Sequence, residues 1–382
     1  MVHQLEEPRA VLLGPNPGNG SYSTTEYFRF LAENLQSALG EPLASYCPGE
    51  RQSVGDRGNT LASLVPRRRT WFDNYIRWPQ ELRTLTYDLF HVIDQGLGWY
   101  SRFLKGGRRL ATIHDLFACL SLSGKIALPR PPRYREPLIR ESIFQLRRMD
   151  HLVCVSQYTA DCVVRELKFP ASRITVVPNH LRAMFRPLMP KERVAARSKW
   201  FSDAEQVVLH VGKPSSYKNR PGVIRSFQTV KARIPSARLF LVHGPGTPEE
   251  LALVRELGLE DTINFLPPLK TTELTQVYGA ADVFVFPSVF EGFGWPPIEA
   301  MACACPVVCS RGGALGEVVG DAALTVDDPF DCRTIGEAVI EVLASEGVRR
   351  QLRERGLRRV EIYRPESILP QMAAVYRMLL RN

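Results

Sequence analysis

Two carboxylates bracket a glycine-containing loop in the last third of the chain. Glu291 lies in the loop, Gly294 is near its end, and Glu299 follows Glu291 by eight positions. An apolar run precedes the loop, and Pro296-Pro297 suits the first turn of a helix. Backbone amides therefore converge at a helix N-terminus, where a phosphate is favoured by unpaired N–H groups and by the helix dipole.

We expect Glu299 to lie in the first turn of that helix. An acidic residue there also has a purely structural explanation, since it complements the positive end of the dipole by roughly 0.3–1 kcal/mol. For Glu299 alone both interpretations stand. Glu299 occurs together with the Glu-Gly-Phe-Gly loop and a following Pro-Val-Val strand. This combination is more specific evidence for a functional site than either carboxylate alone.

The string from Glu291 to Glu299 resembles the Glu, seven residues, Glu signature of glycosyltransferase family 4, the glycosyl transferases group 1. The resemblance implies an α/β GT-B fold, in which two Rossmann-like domains face each other across a cleft. It also implies that Glu299 holds the ribose hydroxyls of a nucleotide sugar. Glu291, with the backbone of Phe293 and Gly294, is then expected to hold the donor sugar.

A second loop of the same half, Gly212–Asn219, follows an apolar strand-like run. It resembles the family loop whose Arg and Lys hold the donor phosphates, which implies catalytic and donor-binding roles for Lys213 and Lys218. Lys213 stands at the usual Arg position, where it keeps the charge but loses the bidentate fork. Leu266 is expected in the loop near the donor base, where Pro267 replaces the glycine that family members often have.

The first half offers a histidine at a strand end. Two apolar runs, the second ending at His114-Asp115, read as buried parallel strands, and ligands of open α/β sheets bind at the carboxyl ends of strands. A lone histidine is more often structural. The resemblance implies instead that His114 faces the reacting sugar.

A glycine loop near the start of the chain is weaker evidence. Gly18-x-Gly20 follows a first strand but lacks the third glycine of a dinucleotide fingerprint. An ordinary turn explains it equally well. In the family that the chain resembles, a glycine loop at this place lies against the donor diphosphate.

The length of 382 residues and the 45% hydrophobic content favour a globular protein of two or three domains. We assign an N-terminal Rossmann-like domain on the acceptor side to residues 1–187 and a C-terminal Rossmann-like donor domain to residues 188–365. A last amphipathic helix, residues 366–382, is expected to cross back to the first domain, as it does in GT-B proteins.

The eight cysteines lie mostly in apolar surroundings and read as reduced thiols. Cys303, Cys305 and Cys309 lack the second Cys or His pair of a zinc site. No Asp-x-Asp occurs in the chain, so neither a metal nor a cofactor is expected. The polar start and the absence of a long apolar run favour a cytoplasmic protein. A peripheral location at the inner face of the membrane depends on the basic segments described next.

Positive charge is concentrated in the first half, where residues 1–190 carry 25 Lys and Arg against 17 Asp and Glu. The cations cluster with aromatic residues in Arg67–Arg83 and with prolines in Lys125–Arg148. A solvated basic surface is the most ordinary explanation. A lipid-linked or otherwise anionic glycan acceptor at an anionic membrane surface comes second. Nucleic acid comes third, and we expect none, because no nucleic-acid motif accompanies the cations.

The resemblance to glycosyltransferase family 4 implies a retaining hexosyltransferase, and the lack of Asp-x-Asp predicts that it is metal-independent. It would move a hexose from a UDP- or GDP-linked sugar to a glycan acceptor in polysaccharide or glycolipid biosynthesis. Retention follows from family membership, and no protein nucleophile is evident. Two alternatives stay open, a GT-B phosphorylase-like or nucleotide-sugar-hydrolysing enzyme and an inactive GT-B scaffold.

Overall fold

The computed structural model describes residues 7–15, 22–47, 76–126, 129–201 and 205–381. These residues divide into two compact units. The first holds the residues up to Ile126, Arg130–Pro178 and those from Ile368 onward, and the second holds Pro129 and Asn179–Ser367. Residues 179–187 pack within the second unit, where the Leu181 amide donates to the Tyr363 carbonyl at 2.7 Å.

The first unit contains one sheet and its helices, joined by short 3₁₀ and π segments. In chain order its elements are β1 (Ala10–Leu13), α1 (Tyr22–Leu39), β2 (Leu43–Tyr46), α2 (Trp78–Leu82), β3 (Leu89–Val92), β4 (Arg108–Ile113), α3 (Phe117–Leu122), α4 (Glu136–Leu146), β5 (His151–Cys154), α5 (Gln157–Cys162) and β6 (Ile174–Val176). The six strands run parallel in the order β2-β1-β3-β4-β5-β6.

The second unit repeats this organisation. Its elements are α6 (Pro190–Phe201), β7 (Gln206–Val211), α7 (Arg220–Arg233), β8 (Ala237–Val242), α8 (Pro248–Glu256), β9 (Ile263–Leu266), α9 (Thr271–Ala280), β10 (Val283–Phe286), α10 (Trp295–Ala302), β11 (Val307–Ser310), α11 (Leu315–Val319), β12 (Leu324–Val326), α12 (Cys332–Ala344) and α13 (Glu346–Val360). The strands are again parallel, in the order β12-β11-β10-β7-β8-β9.

Continuous apolar runs form the central strands because helices cover a parallel sheet on both faces. Every residue of β1, β3 and β10 is buried. In the second unit the strands pack against α7 and α12 in one hydrophobic core. The α/β class predicted from the sequence is confirmed.

The last helix, α14 (Pro365–Arg381), packs in the first unit from Ile368 onward. Its Tyr376 hydroxyl lies 2.7 Å from His91 Nδ1, and His91 Nε2 lies 2.8 Å from the Thr112 hydroxyl. His91, Thr112 and Tyr376 have no exposed surface. This network satisfies polar groups that would otherwise be costly in the core.

No helix among the described residues is both long enough and apolar enough to cross a bilayer.

Candidate functional site

The loops predicted to do chemistry in the second unit follow two neighbouring strands. β7 and β10 pair in the middle of the sheet, and the loops that follow them contain Lys213 and Lys218 on one side and Glu291 on the other. Ligands of open α/β sheets bind outside the carboxyl ends of the strands. The fold therefore brings two stretches that are far apart in sequence to the edge where a ligand is expected.

Lys218 and Glu291 form an ion pair at this edge. Lys218 Nζ lies 2.7 Å from Glu291 Oε1, and the two side chains are only 14% and 12% exposed. The ammonium group also lies over the ring of Phe286, 4.8 Å from its centroid. A cation and a carboxylate with little access to water interact more strongly than an exposed pair, so each orients the other.

Ser288 connects the two loops. Its hydroxyl lies 2.7 Å from Glu291 Oε1 and 2.8 Å from the Tyr217 carbonyl, so its one proton is donated to one of these acceptors. The Val289 amide donates to the same carbonyl at 2.7 Å. Ser288 itself is fully buried, which fixes the start of the Glu291 loop against the segment that carries Lys218.

A glycine pair supports the Glu291 loop from the other side. A Cβ on Gly313, whose φ is +67°, would lie 2.2 Å from the Glu291 carbonyl oxygen, and one on Gly312 would lie 2.3 Å from the Ser288 carbonyl oxygen. The Ala314 amide donates to the Glu291 carbonyl at 2.8 Å. Only glycine permits this approach of two backbones.

Helix α10 begins directly after the loop. Gly294 is its N-cap with φ of +106°, the first turn contains the predicted prolines, and no side chain of the described residues caps it. The two prolines carry no N–H, so the amides that the start of the helix can offer to a ligand are those of Gly294 and Trp295. Phe293 is buried, and its ring meets that of Tyr363 edge-on, with 5.3 Å between the centroids.

The expectation that Glu299 lies in the first helical turn is wrong. Helix α10 begins at Trp295, and its first turn has no acidic residue. Glu299 is the fifth residue, so its carboxylate lies beside the helix and does not cap the amides. It contacts Arg182 at 2.7 Å and the Tyr278 hydroxyl at 3.3 Å instead.

Burial raises the pKa of Glu299 above its ordinary value, while the charge and hydrogen bond of Arg182 oppose that shift. The charge of Lys218 also acts on the Glu299 pKa in the same direction as Arg182. Glu299 thus lies within electrostatic reach of the Lys218–Glu291 pair.

Two more of the predicted donor residues, Lys213 and Leu266, lie at the same edge of the second sheet. Lys213 is exposed in the loop after β7. Leu266 is the last residue of β9, and its carbonyl accepts from the Gly244 amide at 2.8 Å. Helix α7 starts where the Lys213 loop ends, with Asn219 at the N-cap accepting from the Gly222 amide.

His114 belongs to the first unit and follows β4. Its Nε2 lies 3.0 Å from the Ile93 carbonyl oxygen, which can only accept, so Nε2 carries the proton and Nδ1 keeps a lone pair. The ring meets that of Tyr27 edge-on at 4.8 Å. Burial lowers the pKa of His114, against the opposing charge of Asp94. The group is therefore a neutral hydrogen-bond acceptor.

Gly18 and Gly20 lie outside the described residues, as does the segment Arg67–Tyr75. In the parts of the chain that the structure describes, no group of three or more His, Cys, Asp or Glu side chains could hold a metal ion. The described cysteines are free thiols.

Sequence reasoning missed the groups that hold the carboxylates, namely Arg182, Tyr278 and Ser288. Arg182 and Glu299 are separated by 117 positions, so no local spacing connects them. Ser288 precedes Glu291 by three residues at a strand end, which is a usable signal, because a polar residue there is placed to contact the loop.

Two family models match the chain and together span most of it. Residues 193–359 match the model of glycosyl transferases group 1, and residues 27–181 match that of glycosyltransferase family 4. The two models correspond to the two repeats of sheet and helices described above.

Individual proteins give the same assignment. Over 277 residues the chain is 29% identical to O-antigen chain mannosyltransferase B of Escherichia coli, covering 71% of each protein. Over 258 residues it is 33% identical to D-inositol 3-phosphate glycosyltransferase of Rhodococcus jostii (strain RHA1), covering 63% of this chain and 55% of the relative. The match thus spans about half of that second relative.

A solved structure shares the fold. The crystal structure of Anabaena Alr3699/HepE in complex with UDP and glucose has a TM-score of 0.75 to this chain at 15% identity, covering 97% of this chain and all of that one. The predicted GT-B architecture is confirmed. The chain belongs to the family these models describe, the group 1 glycosyltransferases with the GT-B fold.

Proposed function

We propose that this glycosyltransferase moves a hexose from a nucleoside diphosphate sugar to a glycan acceptor and retains the anomeric configuration. The observation that carries the proposal is the nearly buried Lys218–Glu291 pair at the carboxyl ends of β7 and β10. It supplies a cation for a leaving diphosphate and a carboxylate for sugar hydroxyls at one place. The relatives support a glycan or polyol acceptor through their names, and UDP is bound by the structural neighbour.

The donor would lie along the carboxyl edge of the second sheet. Lys213 and Lys218, with the first amides of α10, would neutralise the charge that grows on the departing diphosphate. Glu299 would accept hydrogen bonds from the ribose hydroxyls. Glu291 would bind the sugar, and the loop after Leu266 would lie near the base.

Other contacts of the donor are proposed from the resemblance. Gly18 and Gly20, beyond the described residues, would approach the diphosphate. His114 would accept a hydrogen bond from a hydroxyl of the transferred sugar through Nδ1, because Nε2 is already committed to Ile93.

Retention would follow from attack on the same face that the diphosphate leaves. The acceptor oxygen forms a bond to the anomeric carbon as the bond from that carbon to the phosphate oxygen breaks. The proton of the acceptor hydroxyl passes to the leaving phosphate oxygen. We assign no protein nucleophile and no metal, since side-chain cations would stabilise the leaving group.

A binding and turnover panel tests this function. Thermal shifts with UDP, GDP, ADP and their sugar conjugates identify the base and the sugar, and NMR of the product gives its anomeric configuration. We expect one nucleotide family to stabilise the protein, and its sugar conjugate to react only when a glycan acceptor is added. Sugar released at the same rate without an acceptor would favour the nucleotide-sugar-hydrolysing alternative.

We further propose that the acceptor is lipid-linked and anionic and is bound at a membrane surface. The described cations of the basic segment are all exposed, and we call them together the basic surface. It comprises Lys125, Arg130, Arg133, Arg135, Arg140, Arg147 and Arg148, with the exposed aromatic residues Tyr134 and Phe144. Cations interleaved with exposed aromatic rings suit anionic headgroups, at about 1 kcal/mol for each basic residue near the surface.

Flotation with anionic liposomes at low and high salt tests the membrane proposal, because salt screens the attraction. We expect the protein to float at low salt and the double variant Arg133→Glu with Arg140→Glu to float less. The matched control reverses two exposed arginines of α13, Arg350→Glu with Arg358→Glu. Equal loss in both variants, or no flotation at low salt, would leave a solvated surface or a soluble anionic acceptor as the explanation.

A further inference from the structure

Arg182 is a nearly buried arginine in the segment that begins the second unit, and the proposed function gives it no role. One terminal nitrogen donates to Glu299 Oε1 at 2.7 Å, and the other donates to the Thr271 hydroxyl at 2.9 Å. The guanidinium group lies over the ring of Phe185, 4.8 Å from its centroid. Contacts from α9, from α10 and from its own segment therefore fix its position.

Glu299 is held equally firmly and is only 7% exposed. Oε1 accepts from Arg182, and Oε2 lies 3.3 Å from the Tyr278 hydroxyl, which is fully buried. A carboxylate oxygen can accept two hydrogen bonds. Each oxygen of Glu299 thus keeps capacity for one more donor, which matches two neighbouring hydroxyls of a ribose.

The pair of Arg182 and Glu299 is not explained by stability alone. A buried ion pair costs desolvation of both charges, and apolar residues of similar volume often serve a core as well or better. Without Arg182, burial would favour the protonated acid, because burial raises the pKa of Glu299 and Arg182 is the first opposing influence. A protonated carboxyl would be a weaker acceptor for hydroxyl groups.

We infer that Arg182 is a positioning residue that fixes the Glu299 carboxylate as an acceptor for the ribose hydroxyls of the donor nucleotide. The inference rests on the proposed function, in which Glu299 meets the ribose. It makes ribose recognition depend on a residue that does not itself touch the nucleotide.

The test compares nucleotides that differ only in the ribose. Calorimetry with UDP and 2′-deoxy-UDP, and with GDP and 2′-deoxy-GDP, gives the preference for ribose over deoxyribose. We expect the unmodified protein to prefer the ribonucleotide by about tenfold or more, the range for a hydrogen bond to a charged group. Arg182→Met should lower affinity for the ribonucleotide by about tenfold or more, leave the deoxynucleotide within about threefold, and so abolish the preference.

Arg186→Met is the matched control, because Arg186 belongs to the same segment but is half exposed and pairs with Glu192. Its preference for ribose should equal that of the unmodified protein. Thr271→Val provides a second route should Arg182→Met fail to fold, since it removes an acceptor that orients Arg182. It should reduce the preference in the same direction by a smaller factor.

The outcomes separate the inference from the proposed function. A folded Arg182→Met that keeps the full ribose preference would overturn the inference alone. An unmodified protein that binds nucleotides without distinguishing ribose from deoxyribose would overturn the inference together with the ribose role proposed for Glu299, and would leave the proposed sugar transfer standing. Where Arg182→Met does not fold, an unchanged preference in Thr271→Val would overturn it. Absence of binding by every nucleotide would overturn the proposed function itself.

Discussion

At the scale of single residues, the two lysines of the loop after β7 have different surroundings. Lys218 is nearly buried against Glu291, whereas Lys213 is exposed. We predict that Lys213→Ala and Lys218→Ala each lower kcat by about 10²–10³, the range for losing one preorganised charge-stabilising group.

Stability should distinguish the two variants, since removing one partner of a buried pair costs about 3–5 kcal/mol. Urea unfolding should show that Lys218→Ala lowers the free energy of unfolding by about 3 kcal/mol. The same measurement on Lys213→Ala should show almost no loss. A Lys218→Ala protein as stable as the unmodified one would contradict the interaction described for Glu291.

The two carboxylates are predicted to act on different parts of the donor. Glu299→Gln should weaken binding of the free nucleoside diphosphate by about tenfold or more, because a hydrogen bond to a charged group contributes roughly 1.5–3 kcal/mol. Glu291→Gln should mainly lower turnover, because Glu291 is assigned to the sugar. Calorimetry with the diphosphate and steady-state kinetics separate these effects, and equal losses of diphosphate affinity would show that the roles are misassigned.

The role proposed for the two lysines also predicts how the enzyme responds to metal removal. EDTA should leave kcat nearly unchanged, because Lys213 and Lys218 are proposed to take the place of a metal at the diphosphate. A chelator that abolishes turnover, with recovery on addition of magnesium, would contradict this assignment.

At the scale of elements, the glycine pair after β11 should be as important as the residues it supports. Gly313→Ala should lower both stability and turnover, because its Cβ would meet the Glu291 carbonyl at 2.2 Å and displace the loop. The control is Gly258→Ala, whose φ of +65° is nearly the same but whose Cβ would meet nothing within 4 Å.

The control should lose only about 1 kcal/mol of stability from the backbone conformation, with kcat unchanged. Thermal unfolding and kinetics of both variants give the comparison. Similar kcat values for the two alanine variants would show that the close approach at Gly313 does not matter for the site.

The central elements were predictable because a buried parallel strand is a continuous apolar run, as in Val283–Phe286. The start of α10 followed from its glycine and prolines, but the side of the helix on which Glu299 lies depends on whether the helix begins at Trp295 or a residue or two later. Strand β2 was missed because it is short, lies at the sheet edge and is only partly buried. The contact between Arg182 and Glu299 depends on the packing of α9 and α10, which no local pattern encodes.

At the scale of the whole molecule, buried histidines predict how stability depends on pH. Burial lowers the pKa of His91, His180 and His210 to about 3 in each case. Their unfolded pKa is about 6.5, so the unfolded chain binds more protons below that pH. Stability from these groups is present above about pH 6.5 and is lost as pH falls towards 3.

At pH 5.5 these three histidines should therefore bind about three protons from solution when the protein unfolds, because each is neutral in the folded protein and nearly fully protonated in the unfolded chain. Calorimetry in two buffers of different ionisation enthalpy measures this uptake. An uptake near zero at pH 5.5 would contradict the burial of His91, His180 and His210 in their neutral form.

The central claim is that the edge of the second sheet carrying Lys218 and Glu291 transfers a sugar from a nucleotide donor to an acceptor. The most direct measurement is the rate of nucleoside diphosphate release from the preferred nucleotide sugar, with and without a glycan acceptor, for the unmodified protein and Glu291→Gln. We predict release that requires the acceptor and falls by about 10² or more in the variant. Release that is independent of the acceptor, or that is undiminished in Glu291→Gln, would contradict the account.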